Sequence, residues 1–274
     1  MKLCLNRGTT GGGMPLPEFV QLAKTAGFDG ADVDLGYAQE KSPAALRELY
    51  ESVNMTFGGW GPFDWRGSDI KFNEGLASFE RTAKIAGDLQ IDSCATWLLP
   101  SSDLPLMENF YFHVTRLKPV AKILADHGLR LGLEFVAPYH LRKKWKHEFL
   151  FTPGQMLELA DAIGDNVGLL VDCFHCLCSG TPSREIAQLP ASKIVLVHLN
   201  DAPMAPIEDQ QDFKRLLPGD GMIDIPGFLA ALQTAGYTGA VSMEVFNEDL
   251  KKLPAAEAAK RACEAGRKFP PFSR

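Results

Sequence analysis

The feature that most constrains this chain is an eightfold repetition. Short runs of β-forming residues alternate with helix-like segments along all 274 residues. The β-like runs are "KLCLN", "GADVDLG", "MTFGGW", "DSCATWLL", "RLGLEFV", "VGLLVDCF", "KIVLVHLN" and "GAVSMEVF". Between them, "EFVQLAKTAG" follows Pro15 and ends on Gly27, and "SPAALRELYESV" offers Ser42 as N-cap with Pro43 at the first helical position. Helices are expected from about Asn73 to Gly87 and from about Met107 to His127. "TPGQMLELADAIG", "SREIAQL", "PGFLAALQTAG" and "PAAEAAKRACEAGRKF" complete the set. Such alternation implies a parallel sheet, and eight units without a break in composition predict a single α/β domain over residues 1–274, a (β/α)8 TIM barrel. An open doubly wound sheet is the alternative. It finds no support from a Gly-x-Gly-x-x-Gly after the first run, because "TTGGG" lacks that spacing.

Charge and hydropathy narrow the partners. With 28 basic against 34 acidic residues the formal charge is −6, a poor match to nucleic acid, whose non-specific binders draw affinity from Lys and Arg on phosphates. No long uncharged apolar run is present, and "MKLCLNRG" turns polar too early for a signal peptide, so no membrane partner and a cytoplasmic location are expected. In that compartment the six cysteines, at 4, 94, 173, 176, 178 and 263, are expected to be free thiols acting as small buried hydrophobes.

In a barrel, functional groups sit where strands end, and side chains alternate between lumen and helices. Leu131, Leu133 and Phe135 share one parity, so Glu134 points into the mouth. Leu169 and Val171 point outward, leaving Asp172 inward. Val195, Val197 and Leu199 point outward, leaving His198 inward. Val241, Met243 and Val245 leave Glu244 inward. Four consecutive strands therefore deliver Glu, Asp, His and Glu to one mouth. Each residue alone reads equally well as a capped or salt-bridged strand end, but four in phase point to a site. Three converging carboxylates would repel and lose their charge, and one divalent cation removes that problem. Three oxygen donors and one imidazole suit Mn, Mg, Co or Zn.

The second half of the chain resembles the sugar phosphate isomerase/epimerase family, the xylose isomerase-like barrels, and within it the inosose (2-keto-myo-inositol) isomerases. The resemblance is carried by "LEFV", "NVGLLVDCFH", "VHLND", "RLLPGDGMID", "GYTGAVSMEVF" and "KLPAAEAAK", with "MKLCLN" and the following "TT" fitting as well. It covers residues 128–262 well, 1–10 moderately and the middle by architecture alone. It implies that Glu134, Asp172, His198 and Glu244 bind one divalent metal. It also implies that His175 and Arg215 touch substrate oxygens. The substrate would be a keto-sugar, inosose or sugar phosphate, and the reaction isomerisation or epimerisation through a metal-stabilised enediolate. Glu134 and Glu244, about half a barrel apart, are then the proton-transfer pair. Asp201 in "HLND" is placed to hold His198 or another group from behind, and Trp60 and Trp97 are placed to wall the pocket. Family barrels often pair, so a homo-oligomer is an open expectation.

Two stretches admit more than one reading. "VDCFHCLC" packs three cysteines and His175 within six positions, tighter than usual zinc spacing, so Asp172 and His175 are expected to act and the thiols to pack on a loop. In the long loop of residues 137–150, Arg142, Lys143, Lys144 and Lys146 surround Trp145. They read either as a solvated or subunit-facing surface or as an anion clamp for a phosphorylated or carboxylated sugar. Other chemistries on the same frame are an inosose dehydratase-like lyase, an endonuclease IV-like metal hydrolase, and a barrel that binds sugar or metal without catalysis. The hydrolase lacks its extra strand-end histidines in "VDLG", "FGGW" and "TWLL".

Overall fold

The computed structural model describes residues 1–273. Eight parallel strands form one sheet: β1 (Lys2–Leu5), β2 (Gly30–Ala31), β3 (Thr56–Phe57), β4 (Cys94–Leu98), β5 (Leu131–Phe135), β6 (Val167–Asp172), β7 (Ile194–Leu199) and β8 (Ala240–Met243). Their order is β3-β2-β1-β8-β7-β6-β5-β4. Trp60, just past β3, bridges Cys94 in parallel and so joins the two edges; its N–H donates to the Ser93 carbonyl at 3.2 Å and its carbonyl accepts from Ala95 at 2.9 Å. The sheet thus closes on itself as a (β/α)8 barrel, and closure removes both unpaired edges.

The principal helices between and after the strands are α1 (Leu16–Ala26), α2 (Pro43–Glu51), α3 (Asp69–Asp88), α4 (Leu106–Asp126), α5 (Pro153–Ile163), α6 (Ser183–Ala187), α7 (Ile225–Thr234) and α8 (Ala255–Arg267). Local chemistry sets their ends. Ser42 Oγ accepts the Ala45 N–H at 3.0 Å ahead of Pro43, which lacks a donor where none is needed. Gly27 closes α1 at φ +96°, a conformation that a side chain disfavours. Strands β2 and β3 are shorter than their β-like runs because the chain leaves the sheet early, and Asp34 caps a helical turn, Leu35–Glu40, by accepting from Gly36. Among the described residues no helix is long and apolar enough to cross a membrane.

The expected parity holds for Leu131, Leu133, Phe135, Leu169, Val171, Val197, Leu199, Val241, Met243 and Val245, all in the main apolar core. Val195 differs. The β6–β7 register shifts between Leu169 and Leu170, so Leu169 aligns with Ile194 and Leu170 with Leu196. Ile194 joins that core, while Val195 stands 3.1 Å from where a Cβ on Gly132 would lie, on the lumen side. An extra residue in one strand reverses parity below the shift and leaves it intact above, so His198 still points inward.

Candidate active site

The four inward strand-end residues meet. Glu134 lies in β5, Asp172 ends β6, His198 lies in β7 and Glu244 follows β8, its N–H still donating to the Leu199 carbonyl at 3.1 Å. All four are buried, and one donor atom from each falls within 4.8 Å of the others. His198 Nδ1 is 3.1 Å from Glu244 Oε2, 3.4 Å from Glu134 Oε1 and 3.8 Å from Asp172 Oδ2. Neither His198 Nδ1 nor Glu134 Oε1 makes a hydrogen bond of acceptable geometry, so two buried polar atoms face one small space without a partner. Such atoms are rare in native interiors unless something else satisfies them.

Arg215 supplies one cation. Its guanidinium is fully buried, with Phe174 and Phe246 beneath it at 5.1 and 4.7 Å. Nη1 donates to Asp172 Oδ2 at 2.8 Å and Glu244 Oε2 at 3.0 Å, and Nη2 donates to Asp212 Oδ1 at 2.7 Å. His175 Nε2 lies 3.2 Å from Nη2 and 4.0 Å from both Glu134 Oε1 and Asp212 Oδ1. Burial drives each carboxyl toward the neutral form, and the outcome depends on its cations. For Asp172 and Asp212 burial is outweighed chiefly by Arg215, and for Glu244 by His198 and then Arg215, so all three sit below their usual range. Glu134 has no guanidinium; burial prevails over His198 and its pKa is raised. Burial would lower the His198 pKa, but Glu244 and Glu134 raise it well above the ordinary imidazole value. Four carboxyls face two cations, the Arg215 guanidinium and the His198 imidazole whose protonated form they favour, and this leaves a surplus of carboxyl groups. That surplus, the two unpartnered atoms and the three-oxygen, one-nitrogen donor set all fit a divalent cation.

Asp201 grips a loop rather than His198. Its two oxygens accept four backbone N–H groups: Oδ1 from Ala202 at 2.8 Å and Ile223 at 2.9 Å, Oδ2 from Gly219 at 2.8 Å and Gly221 at 3.0 Å. This closes the segment that carries Asp212 and Arg215. The support for Asp172 is Asn200, whose Nδ2 donates to both its oxygens at 3.0 and 3.2 Å, and the N–H of Phe174 at 2.7 Å.

"VDCFHCLC" is a helical turn, Cys173–Ser179, capped by Asp172, instead of the expected loop. His175 emerges on its site-facing side, while Cys173, Cys176 and Cys178 are buried free thiols whose ionisation burial opposes, that of Cys178 pushed up to about 12. Among the described residues they join no metal-ligating cluster.

Glu134, His198 and Glu244 open onto a cavity of about 250 Å³, lined also by Asn6, Asp32, Thr96 and Trp97, with Asp172 buried behind them. Trp97 is half-exposed at its rim. Trp60 also borders it, but its indole N–H donates to the Ile91 carbonyl at 3.0 Å and its ring packs 6.2 Å from Phe79 of α3. In the 137–150 loop, Arg142 and Lys143 both approach Glu148, at 3.8 and 3.3 Å, and Lys144 lies over Trp145. Asp32, Asn200 and Asp212 join the site without having been expected there. Asp32 accepts from Ser242 Oγ at 2.8 Å and Gly59 N at 3.0 Å, and burial raises its carboxyl to about 6. Its signal was present, as an acid between the apolar Ala31 and Val33 within the second β-like run. Asp212 lies on a long loop and carries no such mark.

Fold and mouth together define a barrel with four buried donor residues at the ends of strands β5 to β8, and the chain belongs to the xylose isomerase-like TIM barrel family, whose model matches residues 20–269. It is 26% identical over 272 residues to an inosose isomerase of Halalkalibacterium halodurans, covering 96% of this chain and 94% of that one. It is 30% identical over 247 residues to a 3-dehydroshikimate dehydratase of Pseudomonas aeruginosa; that match takes in 87% of this chain but 37% of the dehydratase. Among solved structures it resembles the IolI protein with a bound zinc atom, at TM-score 0.79 and 26% identity, over 98% of this chain and 97% of that one.

Proposed function

We propose that this chain is a divalent-metal-dependent isomerase or epimerase of a keto-sugar, a cyclitol ketone such as inosose, or a sugar phosphate. The observation that carries the reading is the buried set Glu134, Asp172, His198 and Glu244, with donor atoms within 4.8 Å of one another and two of those atoms unpartnered. The inosose isomerase relatives and the zinc-bound neighbour favour it. These four side chains would hold the ion. Once bound, a divalent cation polarises a carbonyl and its neighbouring hydroxyl and acidifies the carbon between them.

The chain's own residues do the rest. Glu244, kept ionised by His198 and Arg215, takes the proton. Glu134 across the mouth, which burial favours in its protonated form, delivers its own proton to the other face or to the adjacent carbon; exchange with solvent then restores both carboxyls. Glu134 Oε2 and Glu244 Oε1 carry no protein hydrogen bond among the described residues and are left for that work. Arg215 and His175 orient substrate oxygens, Asp201 fixes the loop beneath Arg215, and Trp97 with Trp60 walls the cavity. One barrel domain in the cytoplasm, acting on a small molecule and not on nucleic acid, completes the reading.

The test is exchange of substrate C–H with deuterated water over a panel of ketoses, inososes and their phosphates, before and after chelation. Absence of exchange with every member, in protein holding one equivalent of metal, would overturn it. A dehydratase on the same site is the second reading, favoured by the 30% identical relative. Here the proton leaves as above and a hydroxyl departs from the neighbouring carbon, with His175 protonating it. Loss of water in the product mass identifies that outcome.

A further inference from the structure

Arg66 is a cation held against Thr96 and Trp97, two residues that line the cavity. Its guanidinium carbon lies 4.0 Å from the ring centre of Trp65 and 3.9 Å from that of Trp97, so the planar group is sandwiched between two indoles. Stacking of this kind fixes a guanidinium without using its N–H groups. Nη2 donates to Thr96 Oγ1 at 3.3 Å, and the same hydroxyl accepts from Trp65 Nε1 at 3.0 Å. The base of the sandwich is rigid. Trp65 is fully buried, meets His113 edge-on at 5.5 Å, and His113 stacks on Phe149 at 5.0 Å.

The sandwich adjoins the reacting centre. Trp97 is paired in register with Glu134 on the neighbouring strand, and Thr96 and Trp97 both line the cavity. Arg116, Arg130, Arg215 and Arg267 each pair with a carboxylate. Arg66 forms no ion pair among the described residues, nor does Arg7, next to Asn6 on the cavity wall. Asp64, near Arg66, accepts instead from its backbone N–H at 3.3 Å, whereas Arg7 donates to the Met14 carbonyl at 2.8 Å. Trp97 is 46% exposed, so solvent reaches the residue that stacks on this charge. Burial brings the guanidinium down to about 10, which keeps it charged at neutral pH.

We infer that Arg66, clamped by Trp65 and Trp97, binds an anionic group of the substrate, a carboxylate or a phosphate ester, and so selects charged over neutral sugars at this mouth. The inference rests on the site assignment above and narrows its substrate class. It also moves anion recognition away from the basic loop, where Arg142 and Lys143 share Glu148. A planar guanidinium offers two parallel N–H groups to either anion, whereas a neutral polyol cannot answer its charge.

The experiment is titration of the intact protein with inorganic phosphate, with gluconate and with myo-inositol, read by tryptophan emission and by calorimetry. Trp65 and Trp97 are the natural reporters. Saturable binding of phosphate or gluconate is expected, weakened roughly tenfold or more in Arg66→Gln and partly restored in Arg66→Lys, which keeps charge but not the fork. Myo-inositol binding should be unaffected by either change. Phosphate alone binding assigns a phosphorylated substrate, and gluconate alone a sugar acid. Equal affinity in Arg66→Gln, with its unfolding temperature unchanged, overturns the inference, as does failure of both anions to bind. Glu244→Gln should keep anion binding. Anion binding that depends on Arg66 without proton exchange on any substrate would sink the isomerase reading alone, and exchange on neutral ketoses without anion binding would sink this one alone.

Discussion

Asp201→Asn is a near-isosteric change that should behave like the loss of a structural clasp. The carboxylate is fully buried and takes four backbone N–H groups, two on each oxygen, from residues 202, 219, 221 and 223. An amide keeps one oxygen and turns an N–H₂ toward the other two donors. Two charge-assisted hydrogen bonds are lost, each worth about 1.5–3 kcal/mol, so a loss of roughly 3–6 kcal/mol is expected. Against a typical total of about 5–15 kcal/mol that is large. Urea unfolding should show it as a lower midpoint at constant slope. If the loop can open while the barrel stays folded, the loss appears locally, as faster hydrogen exchange at the amides of Gly219, Gly221 and Ile223. Turnover should fall in either case, because Arg215 rides on that segment and holds Asp172 and Glu244. A destabilisation below about 1 kcal/mol with those amides still protected would refute the clasp.

Other outcomes follow from the same geometry. Glu244→Gln should abolish proton exchange while the barrel stays folded, as judged by circular dichroism; near-normal exchange would remove Glu244 from the chemistry. Chelation should lower both activity and the unfolding temperature, with Mn or Co restoring them, because a ligand that binds the folded state stabilises it; full activity after exhaustive chelation would rule out the metal. Replacing Cys173, Cys176 and Cys178 together with Ala should leave one metal per chain by elemental analysis, whereas Asp172→Asn should lose it; the reverse would show that the thiols are the ligands. His113 titrates at about 4 in the fold because burial, aided by Arg66, lowers it from 6.5 against the pull of the Asn109 carbonyl. Between those values the unfolded chain binds more protons. The stability it contributes is therefore full above pH 6.5 and drains away as pH falls toward 4, about 3 kcal/mol in all. The pH slope of urea-derived stability should flatten by that amount in His113→Phe; an unchanged slope would mean that the ring is not buried in its neutral form.

What the sequence determined by itself was the frame and the residues aligned with it. Alternating strand and helix signals imply the barrel, and period-two patterning singles out Glu134, Asp172, His198 and Glu244, because on a strand flanked by helices a polar residue between large apolar ones must face the lumen. Parity is local and readable as long as the register stays regular; it misplaced Val195, where the β6–β7 pairing shifts in a way that one strand's sequence does not display. Tertiary structure alone decided which groups complete the site. Arg215 and Asp212 come from a long irregular loop with no periodicity, and only the folded path, clasped at Asp201, brings that guanidinium to 2.8 Å from Asp172. Arg66 likewise looks like any surface charge in "FDWRGS"; its sandwich exists because Trp65 and Trp97, 32 positions apart, meet across it. Side-chain pattern reports which face a residue takes within its own element, whereas a pKa shift, a metal cage or a clamped cation depends on distances between elements, and those arise only when the barrel closes.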